Sequence, residues 1–156
     1  MTTSALFDVT FHPATETDGP WIYELYCATM RPIILTALGW NDEEQRERFN
    51  ASYQVDLFEL IFQGPTRVGA LYRTRHQGNL HLSLLLIETR YQNRKIGTGI
   101  IRDLQATCRV EGEGITLSVF QNNPAFHLYQ RLGFSVDNHD DLFYKMSWTP
   151  LFNPPP

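Results

Sequence analysis

The hydrophobic pattern of this 156-residue chain alternates between two periods. Stretches in which every second residue is apolar predict strands, and apolar residues three or four apart predict helices. Strands are predicted at about residues 6–11, 55–62, 67–74, 80–87, 115–120, 134–136 and 143–148. Helices are predicted at about residues 18–30, 42–53, 96–110 and 124–132. This order predicts an α/β domain around one mixed sheet of about seven strands, flanked by four helices.

Turn and capping residues mark where these elements begin and end. Pro32 is expected to kink or end the first helix, because proline lacks the backbone N–H that the helix needs. Asn41 or Asp42 can cap the second helix. Leu80–Ile87 is the longest apolar run, so we expect a central strand that is buried on both faces. The polar residues Asp137–Asp141 predict a loop between the last two strands.

Composition and charge are those of an ordinary globular domain. Hydrophobic residues make up 42% and charged residues 19% of the chain. There is no internal repeat and no long linker, so residues 1–156 are expected to form one domain, with a flexible tail over about residues 149–156. The net charge of −4 argues against bulk binding of nucleic acid, which requires a basic face.

Cysteines and apolar runs bear on the cellular location of the protein and on its binding partners. Cys27 and Cys108 are expected to be reduced core thiols, and no Cys/His cluster predicts a metal site. No apolar run reaches about 18 residues and no signal peptide is visible, so the prediction is a cytoplasmic protein with no membrane partner. An exposed strand edge and the apolar segment Trp148–Phe152 make a homodimer an open alternative.

The segment Leu80–Thr107 carries the strongest chemical signal. It predicts a strand, a short loop and a helix, which places backbone N–H groups at a helix N-terminus and favours an anion. The loop adds amide, basic and glycine residues: Gln92, Arg94, Lys95, Gly97 and Gly99. The sequence therefore predicts a site for a phosphate-bearing ligand.

The same loop resembles the acetyl-CoA loop, Q/R-x-x-G-x-G/A, of the GNAT N-acetyltransferase family. The letters fit in two frames, one beginning at Arg94 and one at Gln92, and the second has Lys95 where the first glycine usually lies. In the family, apolar helix residues follow the first motif residue by four, eight, nine and twelve positions. From Gln92 these positions are Ile96, Ile100, Ile101 and Leu104. The helix therefore favours the Gln92 frame, and Lys95 is expected to be strained if its position requires positive φ.

A second motif, Asn122–Phe134, is similar to the N-x-x-A-x-x-L-Y-x-x-x-G-F segment of the same family. The resemblance implies that an asparagine contacts the pantetheine arm and that Tyr129 protonates the leaving thiolate. A phenol with a pKa of about 10 can donate to a thiolate with a pKa of about 8–9. Asn122 or Asn123 can equally serve as the cap of the helix that begins at Pro124.

The resemblance also implies where acetyl-CoA binds. The central strand and the strand at residues 115–120 would splay apart to form an acyl-CoA cleft, and the pantetheine arm would pair with the backbone of Leu85 and Ile87. The implied cofactor-binding residues are Leu85, Ile87, Gln92, Asn93, Arg94, Lys95, Ile96, Gly97, Thr98, Asn122, Asn123, Phe126 and Tyr129. Acetyl-CoA would be a co-substrate, with no metal.

Acetyl transfer to an amine requires the amine to be uncharged, and therefore a base. Some family members have a glutamate eleven positions before the motif, where this chain has His81, which could serve as the base. Ser83 shares its strand face and could line a water path with it. Glu59 and Asp56 are weaker candidates, and Glu88 is expected to pair with a nearby arginine.

The acceptor pocket of the family lies on the first two helices and the last hairpin. Here the candidate residues are Trp21, Tyr26, Trp40 and Asp42, and aromatic and acidic side chains suit a cationic amine. The segment Gly39–Phe49 is similar to that of small bacterial members of the family. The resemblance implies an N-acetyltransferase that acetylates a primary amine of a small molecule or peptide by direct attack in a ternary complex. The alternative is a catalytically idle acyl-CoA-binding or sensor domain.

Overall fold

The computed structural model describes residues 9–150. The strands are β1 (Val9–Pro13), β2 (Phe58–Gln63), β3 (Thr66–His76), β4 (Asn79–Ile87), β5 (Ile115–Phe120), β6 (Ser135–His139) and β7 (Phe143–Trp148). The helices are α1 (Gly19–Leu38), α2 (Asp42–Ser52), α3 (Ile96–Glu111) and α4 (Ala125–Arg131). Three short 3₁₀ turns lie at Glu16–Asp18, Val55–Leu57 and Thr89–Tyr91. The predicted order of strands and α-helices is confirmed.

The strands form one mixed sheet in the order β1-β2-β3-β4-β5-β7-β6. β1 pairs antiparallel with β2, β2 with β3, β5 with β7, and β6 with β7. β4 pairs in parallel with β5, where Leu80–Leu82 face Ile115–Leu117. A parallel pair needs a crossover between its strands, and here α3 provides it. The predicted mixed α/β fold with seven strands and four helices is confirmed.

The predicted end of the first helix at about residue 30 was wrong. α1 continues through Pro32 to Leu38, and Gly39 follows it with φ of 80°. Ile34, about two helical turns after the buried Tyr26, is itself buried. We infer that burial of this apolar side offsets the hydrogen bond that proline cannot donate.

Three further predictions about strands need correction. Val55–Leu57 forms a 3₁₀ turn, so β2 begins at Phe58. β4 is not buried on both faces: its burial alternates, with the odd-numbered side chains half-exposed. Asp137–His139, predicted as loop, belongs to β6, where a register shift near Asp137 accommodates exposed polar residues on an edge strand.

Part of the predicted first strand, before residue 9, lies outside the described residues. So does the predicted flexible tail from residue 151 onward. Contacts divide the described residues into two compact units, one with residues 9–73 and 84–97 and one with residues 74–83 and 98–150. The single domain predicted for residues 1–156 stays a prediction.

The first unit has an aromatic core. Tyr26 of α1, Phe49 of α2, Phe58 of β2 and Tyr72 of β3 are all buried. The Phe49 ring lies 4.9 Å from Tyr26 and 6.0 Å from Phe58, and the Phe58 ring lies 4.8 Å from Tyr72. These ring contacts join both helices to the strands. They stabilise the packing beyond what burial of apolar area alone contributes.

α3, most of which belongs to the second unit, buries one face. The four positions expected from the Gln92 frame are all buried. Gln105, also buried, donates from Nε2 to the Leu132 carbonyl at 2.7 Å and so links α3 to the end of α4. At the C-terminal end of α3, Arg75 of β3 forms salt bridges with Glu111 and Glu113.

Gly69 in β3 gives a stability prediction. A Cβ at this position would overlap the carbonyl oxygen of Leu86 in β4, so the neighbouring backbones would have to move apart. We expect Gly69→Ala to lower the free energy of unfolding by about 1–3 kcal/mol. Gly19→Ala is the matched control, because its Cβ would meet Val55 at an ordinary 3.4 Å. Denaturant unfolding checks both variants, and equal losses would contradict the steric argument.

Candidate functional site

The segment that joins β4 to α3 is built from local hydrogen bonds. After β4, the 3₁₀ turn Thr89–Tyr91 reverses the chain, and Gln92 follows with its N–H bonded to the Thr89 carbonyl at 3.2 Å. The Gln92 side chain then turns back, and its Nε2 donates to the Ile87 carbonyl at 2.9 Å. The first motif residue thus links the end of the strand to the loop.

Two loop residues other than glycine adopt positive φ. Asn93 has φ of 62° and Lys95 has φ of 66°, in the left-handed region that glycine occupies without steric cost. Lys95 stands where the Gln92 frame expects glycine. In the alternative frame from Arg94, both motif glycines, Gly97 and Gly99, lie within α3. The backbone therefore favours the Gln92 frame, and it holds Lys95 in the strained conformation that the sequence anticipated.

The loop is also positively charged. The guanidinium groups of Arg90 and Arg94 lie 5.4 Å and 5.5 Å from the centre of the Tyr91 ring. Glu88 lies 3.5 Å from Arg90, as the sequence predicted. Within residues 9–150, neither Arg94 nor Lys95 forms a salt bridge with a carboxylate. Two exposed cations therefore stand beside the N-terminus of α3, whose first turn contains Ile96, Gly97 and Thr98.

The end of β4 offers an apolar face. Leu85 and Ile87 are half-exposed, whereas Leu84 and Leu86 on the opposite face are buried. The amide of Glu88 donates to the Val68 carbonyl at 2.8 Å, so the strand end is anchored to β3. Leu85 and Ile87, whose backbone the resemblance assigned to pantetheine pairing, thus carry half-exposed apolar side chains.

The second motif forms the start of α4. Asn123 Oδ1 accepts a hydrogen bond from the Ala125 N–H at 2.9 Å, so Asn123 acts as a cap while Asn122 is exposed. The Phe126 ring is half-buried, 4.6 Å from the ring of Tyr144. Gly133, with φ of 94°, ends this short helix.

Tyr129 is the buried residue of α4. It is 8% exposed, and its ring lies 5.6 Å from Phe134. Burial raises the pKa of Tyr129 to about 12. The hydroxyl therefore keeps its proton at neutral pH, as a general acid must, although it is a weaker acid than a free phenol.

His81 lies on the half-exposed face of β4. Its Nδ1 is 2.8 Å from the Thr116 hydroxyl of β5. Burial, and then the charge of His76, lower the pKa of His81 below its usual 6.5. A neutral imidazole at pH 7 is the form that can accept a proton.

The other candidate bases have different environments. Glu59 is engaged by Arg73, whose Nε and second terminal nitrogen lie 2.7 Å and 3.0 Å from its two carboxylate oxygens. This bidentate pair occupies both carboxylate oxygens of the glutamate. Asp56 is exposed within a 3₁₀ turn.

The candidate acceptor residues are already engaged with other side chains. The Trp21 ring is covered by the Arg67 guanidinium at 4.0 Å. Trp40 Nε1 donates to Asp42 at 2.7 Å, so these two predicted residues do come together. Tyr26 belongs to the buried aromatic core, and burial raises its pKa. The assignment of these residues to an acceptor pocket stays a prediction.

Two neighbours of the predicted residues were not anticipated. Thr116 contacts His81, and Tyr91 lies beside both Arg90 and Arg94. Alternation along β5 puts Thr116 on the same strand face as Ser118, and the pairing register of β4 with β5 sets it opposite His81. Tyr91 carried no signal beyond its position next to Arg90 and three residues before Arg94.

Residues 9–150 also bear on metal binding and membrane insertion. They contain no group of three or more His, Cys, Asp or Glu side chains that could hold a metal ion. In the same residues, no helix combines the length and apolar character needed to cross a bilayer.

Comparison with known proteins adds to this geometry. The family model described as acetyltransferase (GNAT) domain matches residues 40–151. The PaiA N-acetyltransferase of Thermoplasma acidophilum, solved in complex with coenzyme A, has a similar structure, with a TM-score of 0.73, 16% identity, and coverage of 90% of this chain and 98% of that one. An acetyltransferase from Thermus thermophilus gives a TM-score of 0.71 at 22% identity, with coverage of 92% and 98%.

A third solved structure carries an acceptor-like ligand. Arabidopsis thaliana Naa50, in complex with the bisubstrate analogue CoA-Ac-MVNAL, gives a TM-score of 0.60 at 17% identity, with coverage of 91% of this chain and 99% of that one. At these identities the structural likeness shows the fold. No curated protein matches the chain by sequence. The family match spans most of the chain and agrees with both motifs, so this protein belongs to the GNAT acetyltransferase family.

Proposed function

We propose that the protein is an acetyl-CoA-dependent N-acetyltransferase that acetylates a primary amine of a small molecule or peptide. The observation that carries this proposal is the loop from Gln92 to Gly97. Its backbone takes positive φ at Lys95, the motif's glycine position, and leads directly into α3. N–H groups at a helix start, with two exposed cations, suit the pyrophosphate of acetyl-CoA.

The remaining binding roles follow from the two motifs. Backbone amides of Asn93–Thr98 would donate to the pyrophosphate oxygens. The backbone of Leu85 and Ile87 would pair with the pantetheine amides, as an added strand does. Asn122, Asn123 and Phe126 would contact the arm of the cofactor from the start of α4, with Asn123 also capping that helix.

The chemistry requires three proton transfers. His81, acting directly or through water, would take one proton from the acceptor ammonium, and the freed amine would attack the thioester carbonyl carbon. The C–N bond forms, the C–S bond breaks, and the thiolate of CoA receives a proton from Tyr129. The nitrogen then loses its second proton, which returns through solvent to the Tyr129 oxygen. The products are an amide, the free thiol and one proton on His81.

A raised pKa affects how Tyr129 would act. With a pKa of about 12, its proton is not released to a solvated thiolate without cost. We therefore assign Tyr129 a hydrogen bond to the sulfur as negative charge develops, with transfer as the C–S bond breaks. Such positioned proton donation contributes typically about 10²–10⁴-fold to a rate.

The proposed acceptor class rests on the first two helices. Trp21, Tyr26, Trp40 and Asp42 combine aromatic rings with a carboxylate, which suits an amine. Arg67 covers Trp21, and Arg31 lies 5.6 Å from Trp40. A cationic acceptor would therefore compete with the protein's own guanidinium groups for these ring faces.

Acetyl-CoA is expected to stabilise the protein against heat. Binding to the folded state alone adds about 2.7 kcal/mol at a ligand concentration 100-fold above Kd. A thermal-shift titration measures this stabilisation. Pantetheine, which lacks the pyrophosphate, is the control. An unchanged Tm at millimolar acetyl-CoA would contradict the cofactor assignment.

A screen of amines and peptides that detects the released thiol then tests catalysis. Thiol release that depends on the acceptor supports the transferase. Stabilisation by acetyl-CoA without thiol release from any acceptor would instead favour an acyl-CoA-binding or sensor domain on the same fold.

A further inference from the structure

A row of polar side chains crosses the sheet of the second unit. His81 of β4 faces Thr116 of β5, Thr116 faces Ser147 of β7, and Ser147 faces Ser135 of β6. Residues that face each other in a sheet project to the same side. His81, Thr116 and Ser147 are half-buried and Ser135 is exposed, so the row leads from partly buried to solvated positions.

One contact in this row bears on which ring nitrogen of His81 carries the proton. His81 Nδ1 and Thr116 Oγ1 are 2.8 Å apart, a hydrogen-bond distance. If the hydroxyl donates, Nδ1 holds the lone pair and the ring proton lies on Nε2. If Nδ1–H donates, the lone pair lies on Nε2. Only the second arrangement leaves Nε2 able to accept a proton.

The surroundings keep this ring neutral. Burial is the largest cause that lowers the pKa of His81, and the charge of His76 on β3 is the next. On the other side of His81, β5 presents the uncharged Thr116, and β7 presents Ser147 opposite it. Lys145, the charged residue of β7, lies opposite Ser118, two residues further along β5. The ring thus has a hydroxyl as its bonded neighbour, and neither Thr116 nor Ser147 carries a charge that would favour the charged ring.

We propose that Thr116 is a positioning residue that accepts a hydrogen bond from His81 Nδ1–H and so directs the basic Nε2 toward the acceptor amine. This inference rests on the proposed acetyl transfer for its consequence. The base in this chain would then be a strand histidine oriented by a hydroxyl on the neighbouring strand. The hydroxyl must accept from the ring in both protonation states, which a threonine or a serine can do and a valine cannot.

Thr116→Val tests the proposal because valine has nearly the same shape and lacks the hydroxyl. We expect kcat to fall about 10-fold, because the Nε2–H tautomer becomes accessible. The acid limb of the pH–rate profile should also move to lower pH. The hydrogen bond from Nδ1–H is stronger when the ring is charged, so its loss favours the neutral ring. Thr116→Ser should restore both the rate and the pH profile, and Ser118→Ala on the same face should change neither.

A measurement that needs no activity separates this proposal from the proposed function. Nitrogen-15 NMR of labelled histidine distinguishes the two tautomers, and His81→Gln assigns the signal. We expect the Nδ1–H tautomer in the wild-type protein and in Thr116→Ser, and its loss in Thr116→Val. An Nε2–H tautomer in the wild-type protein would overturn the proposal, and so would an unshifted pH profile in an active Thr116→Val variant. Absence of acetyl transfer by the wild-type protein would refute the proposed function, while the tautomer measurement still decides the role of Thr116.

Discussion

Replacement of Tyr129 by phenylalanine is expected to reduce kcat about 100-fold, at the lower end of what proton donation contributes. The affinity for acetyl-CoA should change by no more than about 2–3-fold, because the assigned hydrogen bond forms as charge develops on the sulfur. The aromatic ring and its contact with Phe134 are retained, so Tm should stay close to the wild-type value. Steady-state kinetics with thiol detection and a binding titration measure the two effects separately.

Tyr144→Phe is the matched control for this variant. Tyr144 lies on β7, and its ring contacts Phe126 of α4. The control therefore also removes a tyrosine hydroxyl, from a residue beside the same helix. Turnover should remain near the wild-type value in the control. Wild-type turnover in Tyr129→Phe would remove Tyr129 from its assigned role.

The raised pKa of Tyr129 also predicts the shape of the alkaline pH profile. An acid must be protonated to act, and burial raises the pKa of this phenol from 10.0 to about 12. Activity should therefore not fall through Tyr129 ionisation until the pH approaches 12. The low-pH limb should instead report His81, whose pKa lies below 6.5, so that activity rises with pH as the ring loses its proton.

Charge reversal at Lys95 is expected to weaken acetyl-CoA binding about 100-fold. Two unit charges about 4 Å apart interact by about 4 kcal/mol near a protein surface, and Lys95→Glu exchanges attraction for repulsion. Salt screening and exposure reduce this value, so the loss of affinity should be about 2–3 kcal/mol and should shrink at high ionic strength. Calorimetric titration at two salt concentrations measures both the size and the salt dependence.

Arg102→Glu is the matched control because it makes the same charge change at an exposed position of α3. Arg102 is about two helical turns from Lys95, roughly 10 Å, which is close to one Debye length at 0.1 M salt. Its effect should be a few-fold at most. Equal losses in the two variants would show that net charge, and not the loop position, controls affinity.

Lys95→Gly separates the backbone from the side chain. Glycine relieves the left-handed strain, which costs about 1–2 kcal/mol for other residues, but it also raises the entropy of the unfolded chain. We expect the free energy of unfolding to rise slightly, by less than about 1 kcal/mol, while affinity for acetyl-CoA falls. Stability and affinity moving in opposite directions would indicate that the strain is retained for binding.

The loop from Gln92 to Gly97 could be predicted from the sequence in some detail. Its frame was decided by the spacing of Ile96, Ile100, Ile101 and Leu104, and these four side chains are buried. The strain at Lys95 could be anticipated as a condition, and its φ of 66° meets that condition. Such features are local: a helix register and a backbone turn depend on residues within about a dozen positions.

The burial of longer-range partners could not be predicted in the same way. Tyr26 looked like an acceptor-facing aromatic, yet it packs against Phe49, which lies on a different helix. The apolar run of β4 suggested burial on both faces, but only its even-numbered residues are buried. Hydrophobicity gives the tendency of a side chain to be buried, and the neighbouring elements decide which face is covered.

The sequence by itself determined the order of strands and helices, the Gln92 frame and the family, because each depends on periodicity or spacing along the chain. Only the tertiary structure decided that Pro32 lies within a continuous helix and that His81 contacts Thr116, 35 residues away. Such contacts depend on the pairing register between strands and on the burial that follows from it. The candidate base was therefore visible in the sequence, while the hydroxyl that orients it required the fold.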